Sequence, residues 1–173
     1  MTSIPQRSKP RTLSEDFERI FQEHHRIVFR TAYRVTGNAE DAEDVLQTLF
    51  LRLLRRECPT ALEANPIGYL KRAAVNIALD VLRLRKRSAP ADESIEIDDR
   101  TEDAVEVRQL VVSALAELPQ KMAEIVVLRH VEGYDNREIA KLIGTSRGAV
   151  AVMLFRARAR LKKVIEYRME GKK

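Results

Sequence analysis

Tryptophan is absent from this sequence, and cysteine occurs once, as Cys58. A lone cysteine closes no internal disulfide, and nothing around Cys58 has the spacing of a metal site. Neither a disulfide framework nor a zinc ribbon is therefore expected, and a reduced, cytoplasmic setting fits. Glycine and proline number only six each among 173 residues. So few chain breakers argue against a turn-rich all-β fold and for helices. No apolar run approaches the roughly 18–20 residues that cross a membrane. Residues 1–11 lack the apolar core of a secretory signal and read as a loose tail. Histidine is also scarce, with only His24, His25 and His130. The adjacent pair points to different helix faces and makes a poor metal site. Without a phosphate-cradling glycine loop or a nucleophile motif, no catalysis, metal or cofactor is expected. Asp41 and Asp44 share a helix face, which suits a solvated or protein-binding surface better than an acid/base pair.

What the chain does contain is a balance of 45% hydrophobic and 33% charged residues, as expected of a folded and well-solvated protein. Its net charge of +5 points weakly to an anionic partner. Helical periodicity begins near Thr12, whose spacing to Glu15 is that of a capping box. Phe17, Ile20, Phe21, Ile27, Val28, Ala32 and Val35 form the first stripe, ended by Gly37. Asn38 is placed to cap a second helix, with Glu40 and Asp41 favourable to its dipole. Its stripe is Ala42, Val45, Leu46, Leu49, Phe50 and Leu53. Residues 56–64 read as a loop. Asn65-Pro66 then opens a helix reaching about Arg87. One face of it carries Leu70, Ala74, Ile77, Val81 and Leu84. Another carries Arg72, Asn76, Asp80, Arg83 and Arg87, at spacings of four, four, three and four.

Residues 88–103 break the pattern, with seven acids against one base and few large apolar residues, and read as a flexible acidic linker. The expected organisation is all-α: a tail over 1–12, a helical module over 13–87, the linker over 88–103, a second helical module over 104–168 and a short tail over 169–173. The second module opens with a helix over 104–117, whose apolar positions are Val107, Leu110, Val111, Ala114 and Leu115. Leu118-Pro119 makes a corner, residues 120–131 a helix, and Gly133 stops it. Asp135 and Glu138 form another capping box, ahead of a short helix over 136–143. Gly144 is a turn, Thr145 or Ser146 a cap, and a last helix runs to about Arg168. Residues 136–155 thus read as a helix-turn-helix, in which Ala140, Gly144 and Val150 supply close approach, turn and packing. Such a motif lays its second helix in the DNA major groove. From 145 to 163 there are six bases (Arg147, Arg156, Arg158, Arg160, Lys162 and Lys163) and no acid, a one-signed surface suited to phosphates.

Leu115-Ala116-Glu117-Leu118-Pro119, Glu138-Ile139-Ala140, Gly144, Arg156-Ala157-Arg158 and Leu161 resemble region 4 of extracytoplasmic-function sigma factors. Residues 39–50, from Ala39-Glu40-Asp41 to Thr48-Leu49-Phe50, resemble the polymerase-binding helix of region 2. Pro66, Leu70, Arg72, Asn76, Asp80 and Arg83 resemble the part of region 2 that engages the −10 element. The likeness spans roughly residues 13–165, in the family's order. It implies binding to RNA polymerase core through Asp44, Gln47, Thr48 and Phe50. It implies −10 contacts from Arg72, Asn76, Asp80, Arg83, Arg85, Lys86 and Arg87, with the 56–64 loop shaping a pocket for an everted base. It also implies −35 contacts from Ser146, Arg147, Gly148, Ala151, Val152, Phe155, Arg156 and Arg158, and an anti-sigma protein as a further partner.

Tyr69 and Leu54 stand where the family favours tryptophan. Residues 148–153 read Gly-Ala-Val-Ala-Val-Met, where Gly-Thr-Val-Lys-Ser-Arg is common. Readout there would rest on thymine methyls and shape rather than bidentate pairs, or the apolar strip would dock a regulator. Two other readings of the whole chain are a helix-turn-helix regulator that acts without polymerase and a helical adaptor that binds only protein.

Overall fold

The computed structural model describes residues 13–55, 60–88 and 102–170. Among them are eight helices and no strand: α1 (Leu13–Thr36), α2 (Ala39–Leu54), α3 (Thr60–Ala64), α4 (Pro66–Ser88), α5 (Glu102–Glu117), α6 (Gln120–His130), α7 (Asn136–Ile143) and α8 (Arg147–Glu170). The all-α, two-module expectation holds. Most of the linker, both chain ends and Cys58 lie outside the described residues.

Local signals act where the sequence placed them. The Asn38 side chain accepts a hydrogen bond from the Asp41 amide at 3.0 Å and starts α2. The Asp135 carboxylate accepts from the amides of Arg137 and Glu138, and the Glu138 side chain answers on the Asp135 amide at 2.7 Å. These amide hydrogen bonds hold the Asp135 carboxyl below its ordinary pKa. Ser146, not Thr145, caps α8, accepting from Ala149 N at 3.1 Å. Gly144 takes φ +70° between α7 and α8, a left-handed turn that a side chain would strain.

Three expectations are corrected. The 56–64 segment is not all loop, because α3 forms at Thr60–Ala64 and buries Leu62. α5 starts at Glu102, two residues into the expected linker. Leu84, Val107 and Val111, placed on apolar stripes, are 57%, 60% and 43% exposed. The true stripes have moved around their helices. On α4, Leu70, Ala74 and Ile77 are buried as expected, but so are Val75, Leu79 and Leu82, at 0–3% exposure.

The reason is that α4 has two partners. α1 and α2 cover one side, and α5, α6 and α7 of the second module cover another. The buried apolar residues form one contiguous core through both modules, from Val28 to Ala157. By helical spacing, Val75, Leu79 and Leu82 share a side with Gly68, Arg72, Arg83 and Lys86, the residues that touch the second module. Full burial of side chains this size contributes about 1.5–3 kcal/mol each. Gly68 permits the approach, since a Cβ there would lie 2.7 Å from Leu142 Cδ2.

Replacing Asn38 with alanine is expected to destabilise the fold by about 1 kcal/mol in denaturant unfolding, with glycine costing only a few tenths. For Asp135→Ala the loss depends on pH. The carboxylate's extra contribution is complete above its ordinary pKa and disappears as pH falls through the lowered native value. The unfolding midpoints of wild type and variant are therefore expected to draw together on acidification below pH ~4.

Candidate nucleic-acid interface

On α8, Val150, Leu154 and Ala157 are buried and hold the helix against the rest of its module. That fixes which residues face outward. All eight positions expected to contact the −35 element are exposed: Ser146, Arg147, Gly148, Ala151, Val152, Phe155, Arg156 and Arg158. Phe155 is 76% exposed and Val152 48%, unusual for apolar side chains this large. Arg160, Lys162 and Lys163 extend the basic surface. Across it, His130 at the end of α6 is pushed down in pKa, first by burial and then by the charges of Arg158 and Arg129. The surface is thus an apolar strip edged by cations, with no acid on its own helix before Glu166, which lies 3.7 Å from Lys162.

The face of α4 is occupied differently. Arg72 donates from Nε to Glu124 Oε1 at 2.6 Å and from a terminal nitrogen to the Leu142 carbonyl at 2.8 Å. Asn76 donates to the same Glu124 oxygen at 2.9 Å, and its own Oδ1 accepts from Gln120 at 3.1 Å. Arg83 donates to the Leu118 carbonyl at 2.9 Å, and Lys86 to Glu117 at 2.7 Å. Arg168 reaches the same Glu117 oxygen. The hydrogen bond from Lys86 pulls the Glu117 carboxyl below its ordinary pKa against a smaller effect of burial, and Arg168 adds to the lowering. Lys71 lies 2.8 Å from Glu132, whose side chain is fully buried. Four of the seven residues expected at the −10 strand are therefore joined to the second module. Arg85 is paired within its own module, to Asp41. Asp80 and Arg87 stay exposed, Asp80 at 3.7 Å from Arg83.

Beside Asn76 lies a cavity of about 200 Å³, lined by Leu49, Arg52, Leu53, Tyr69, Ala73 and Ile77 as well. It falls below the roughly 300–1,000 Å³ of drug-sized pockets and suits one planar ring. Asn76 offers donor and acceptor atoms, Arg52 donors and Tyr69 an aromatic ring. Arg52 was missed in the sequence because it sits on α2, distant in sequence from the α4 residues beside it.

Asp44 and Gln47 are exposed on α2, and Thr48 is half-buried. Phe50, expected both on the apolar stripe of α2 and at the polymerase surface, is only 4% exposed. Its ring meets Phe21 and Phe17 edge-on, at centroid distances of 4.8 and 5.9 Å. It floors an apolar groove of about 600 Å³ between α1 and α2, in which Phe21, Phe29, Leu46 and Gln47 also take part. The contribution of α1 to this surface was not legible, since its residues read only as a core stripe. No three His, Cys, Asp or Glu side chains among the described residues are grouped to hold a metal ion. No described helix is long and apolar enough to cross a membrane.

Two family profiles match the chain: "Sigma-70 region 2" over residues 20–88 and "Sigma-70, region 4" over residues 108–161. The ECF RNA polymerase sigma factor SigM of Mycobacterium tuberculosis is 34% identical over 157 residues, covering 90% of this chain and 80% of that protein. The RNA polymerase sigma-E factor of Streptomyces avermitilis is 33% identical over 156 residues, covering 88% and 87%. Among solved structures, CnrH in complex with the cytosolic domain of CnrY matches with a TM-score of 0.53 at 23% identity, covering 89% of this chain and 90% of that one. The sigma factor RpoE of Bartonella quintana, in complex with the anti-sigma factor NepR, matches with a TM-score of 0.53 at 19% identity, covering 87% and 97%.

Removing one phosphate-binding cation is expected to lessen the salt dependence of duplex binding. Arg158→Ala and Lys162→Ala should each reduce the slope of log K against log salt by about 0.9. Slopes equal to that of wild type would show that α8 does not track phosphates.

Proposed function

The chain belongs to the sigma-70 family, in its extracytoplasmic-function group, and on that premise we propose how its surfaces divide the work of starting transcription. It is an RNA polymerase sigma factor, which lends core polymerase the surfaces that find and open a promoter. The observation that carries the division is the separation of surfaces by chemistry. One helix has an exposed apolar strip among bases, and another has a polar face beside a ring-sized cavity.

α8 enters the major groove at the −35 element. Arg147, Arg156 and Arg158 hold phosphates, while Ala151, Val152 and Phe155 meet thymine methyls and groove shape. α4 and the neighbouring cavity serve the −10 strand. An everted base stacks on Tyr69 and takes hydrogen bonds from Asn76 and Arg52, which offsets the few kcal/mol of unstacking. Arg72, Arg83, Lys86 and Arg87 hold that strand's phosphates. Arg85, tied to Asp41, shapes the junction of α2 and α4 instead. Asp44, Gln47 and Thr48, with the Phe50-floored groove beside them, form the surface for polymerase core.

This work needs positioning and charge rather than bond chemistry, so no catalytic residue or cofactor is assigned. It takes place in the cytoplasm, where polymerase and promoter are. An anti-sigma protein is a further partner, as in the RpoE–NepR complex of similar fold.

Run-off transcription with core polymerase and a promoter library is expected to give start sites only when this chain is present. Asn76→Ala and Asp80→Ala should leave core association intact yet lower open-complex formation, read by permanganate reactivity at −10 thymines. Normal reactivity in both variants would remove α4 from strand opening.

A further inference from the structure

The outward line of α8 is uniform in its chemistry. Gly148, Val152, Phe155 and Ala159 stand four, three and four positions apart, which puts them on one side of the helix. All four are exposed, on the side away from the buried Val150, Leu154 and Ala157. Over residues 148–155, eight in a row, no side chain contains oxygen or nitrogen. At about 1.5 Å per residue the run is about 12 Å long, the height of about three to four base pairs. Packing does not require a glycine at 148, since a Cβ there would meet nothing nearer than Ser146 Oγ, at 4.0 Å. Glycine inside a helix is less favourable than alanine, and its use here leaves bare backbone where the line begins, as the close approach of a ligand requires. Ser146 Oγ itself already accepts from the Ala149 amide. By the same helical spacing, Arg158 lies to one side of the line, and Arg156 and Lys163 lie to the other. Cations on both flanks match a ligand with anions on both flanks, and duplex DNA carries phosphates along both walls of its major groove.

We infer that α8 selects pyrimidines by the methyl group at ring position 5 and not by their hydrogen-bonding edge, so that 5-methylcytosine in duplex DNA is bound as thymine is. The inference rests on the placement of α8 in the major groove and adds the chemical feature that it detects there. In that groove thymine presents a carbonyl acceptor and a methyl group, whereas cytosine presents an amino donor and no methyl group. Telling the acceptor from the donor takes an oxygen or nitrogen on the facing side chain, and residues 148–155 supply none. Val152 and Phe155 can distinguish the methyl group, because covering it removes apolar surface of both partners from water. Each methyl group so covered raises affinity about fourfold, the effect of burying one CH₂-sized group. Cytosine methylated at position 5 carries the same group in the same place. Uracil lacks it and is treated like plain cytosine. Methylation of cytosine therefore strengthens sites for this chain, which responds to a chemical mark on the duplex as well as to its sequence.

The test takes the full-length chain and a random-sequence duplex pool enriched on it by repeated selection. The winning duplex is remade with each thymine in turn replaced by uracil, by cytosine or by 5-methylcytosine, the partner base being matched. At one or more positions, uracil and cytosine are each expected to lower affinity about fourfold, and 5-methylcytosine to return it to the level of thymine. Val152→Ala/Phe155→Ala, truncated at exposed positions that the fold does not use, should bind all four forms alike. Arg158→Ala should weaken all four by one common factor. A 5-methylcytosine that behaves like cytosine would show that the hydrogen-bonding edge is read and overturn the inference. A methyl preference that persists in Val152→Ala/Phe155→Ala would assign it to the shape of the DNA and overturn it too. A pool that does not enrich would overturn it in favour of a protein partner for the strip. Equal binding of all four forms by wild type, with the salt slope of Arg158→Ala still reduced, would overturn the methyl reading and keep α8 on DNA. An unchanged slope would overturn the placement of α8 itself.

Discussion

Glu124 is a carboxylate with almost no access to water, and it lies 2.6 Å from Arg72 of the other module. That single constraint organises the molecule. A buried acid is tolerable only with a cation and further hydrogen bonds around it, and Asn76 supplies one of these. Such pairs add little net stability against an apolar alternative, yet removing one partner costs about 3–5 kcal/mol. They fix register more than they strengthen the fold. The apolar contribution comes from Val75, Leu79 and Leu82, which are sealed on the same side of α4. Packing thus supplies the affinity between modules, and the acids decide how the modules align.

The same helix has to serve two masters because it is both structural and polar. Its first apolar side anchors α1 and α2, and its second is covered by α5 to α7. Polar groups at the boundary, Arg72, Asn76 and Arg83, are engaged by the second module. α8 solves the opposite problem. It is tied down chiefly by the buried Val150, Leu154 and Ala157, with Met153 and Leu161 beside them, so its outer face stays open. Exposing Phe155 and Val152 there is unfavourable in water and makes sense for a surface that is covered in use. Cations around the strip keep it soluble and favour a polyanionic partner.

Much of this was legible in one dimension. Asn38, Asp135 with Glu138, Gly144, and Pro66 after Asn65 each act through their own backbone and nearest neighbours, so their residue types alone located helix ends. The outward set on α8 was equally legible, because the period of the helix and one buried stripe determine it. Phe50 was legible as part of the apolar stripe of α2, but its position there does not reveal that Phe17 and Phe21 of α1 close over it. Arg52 escaped notice for a similar reason, as its closeness to Tyr69 and Asn76 depends on how α2 crosses α4.

The sequence by itself determined an all-helical chain in two modules, where most of the helices begin and end, and the family to which the chain belongs. The helices and their ends follow from short-range physics, namely caps, breakers and the 3.6-residue period, whereas the family is read from the resemblance of its motifs. Only the tertiary structure decided that the second apolar side of α4 is an interface, that Glu124 and Glu132 sit opposite Arg72 and Lys71, and that Arg85 is held by Asp41. Those pairings join residues some 44 to 61 positions apart. No local preference encodes them; they exist because packing leaves buried charges no other partner.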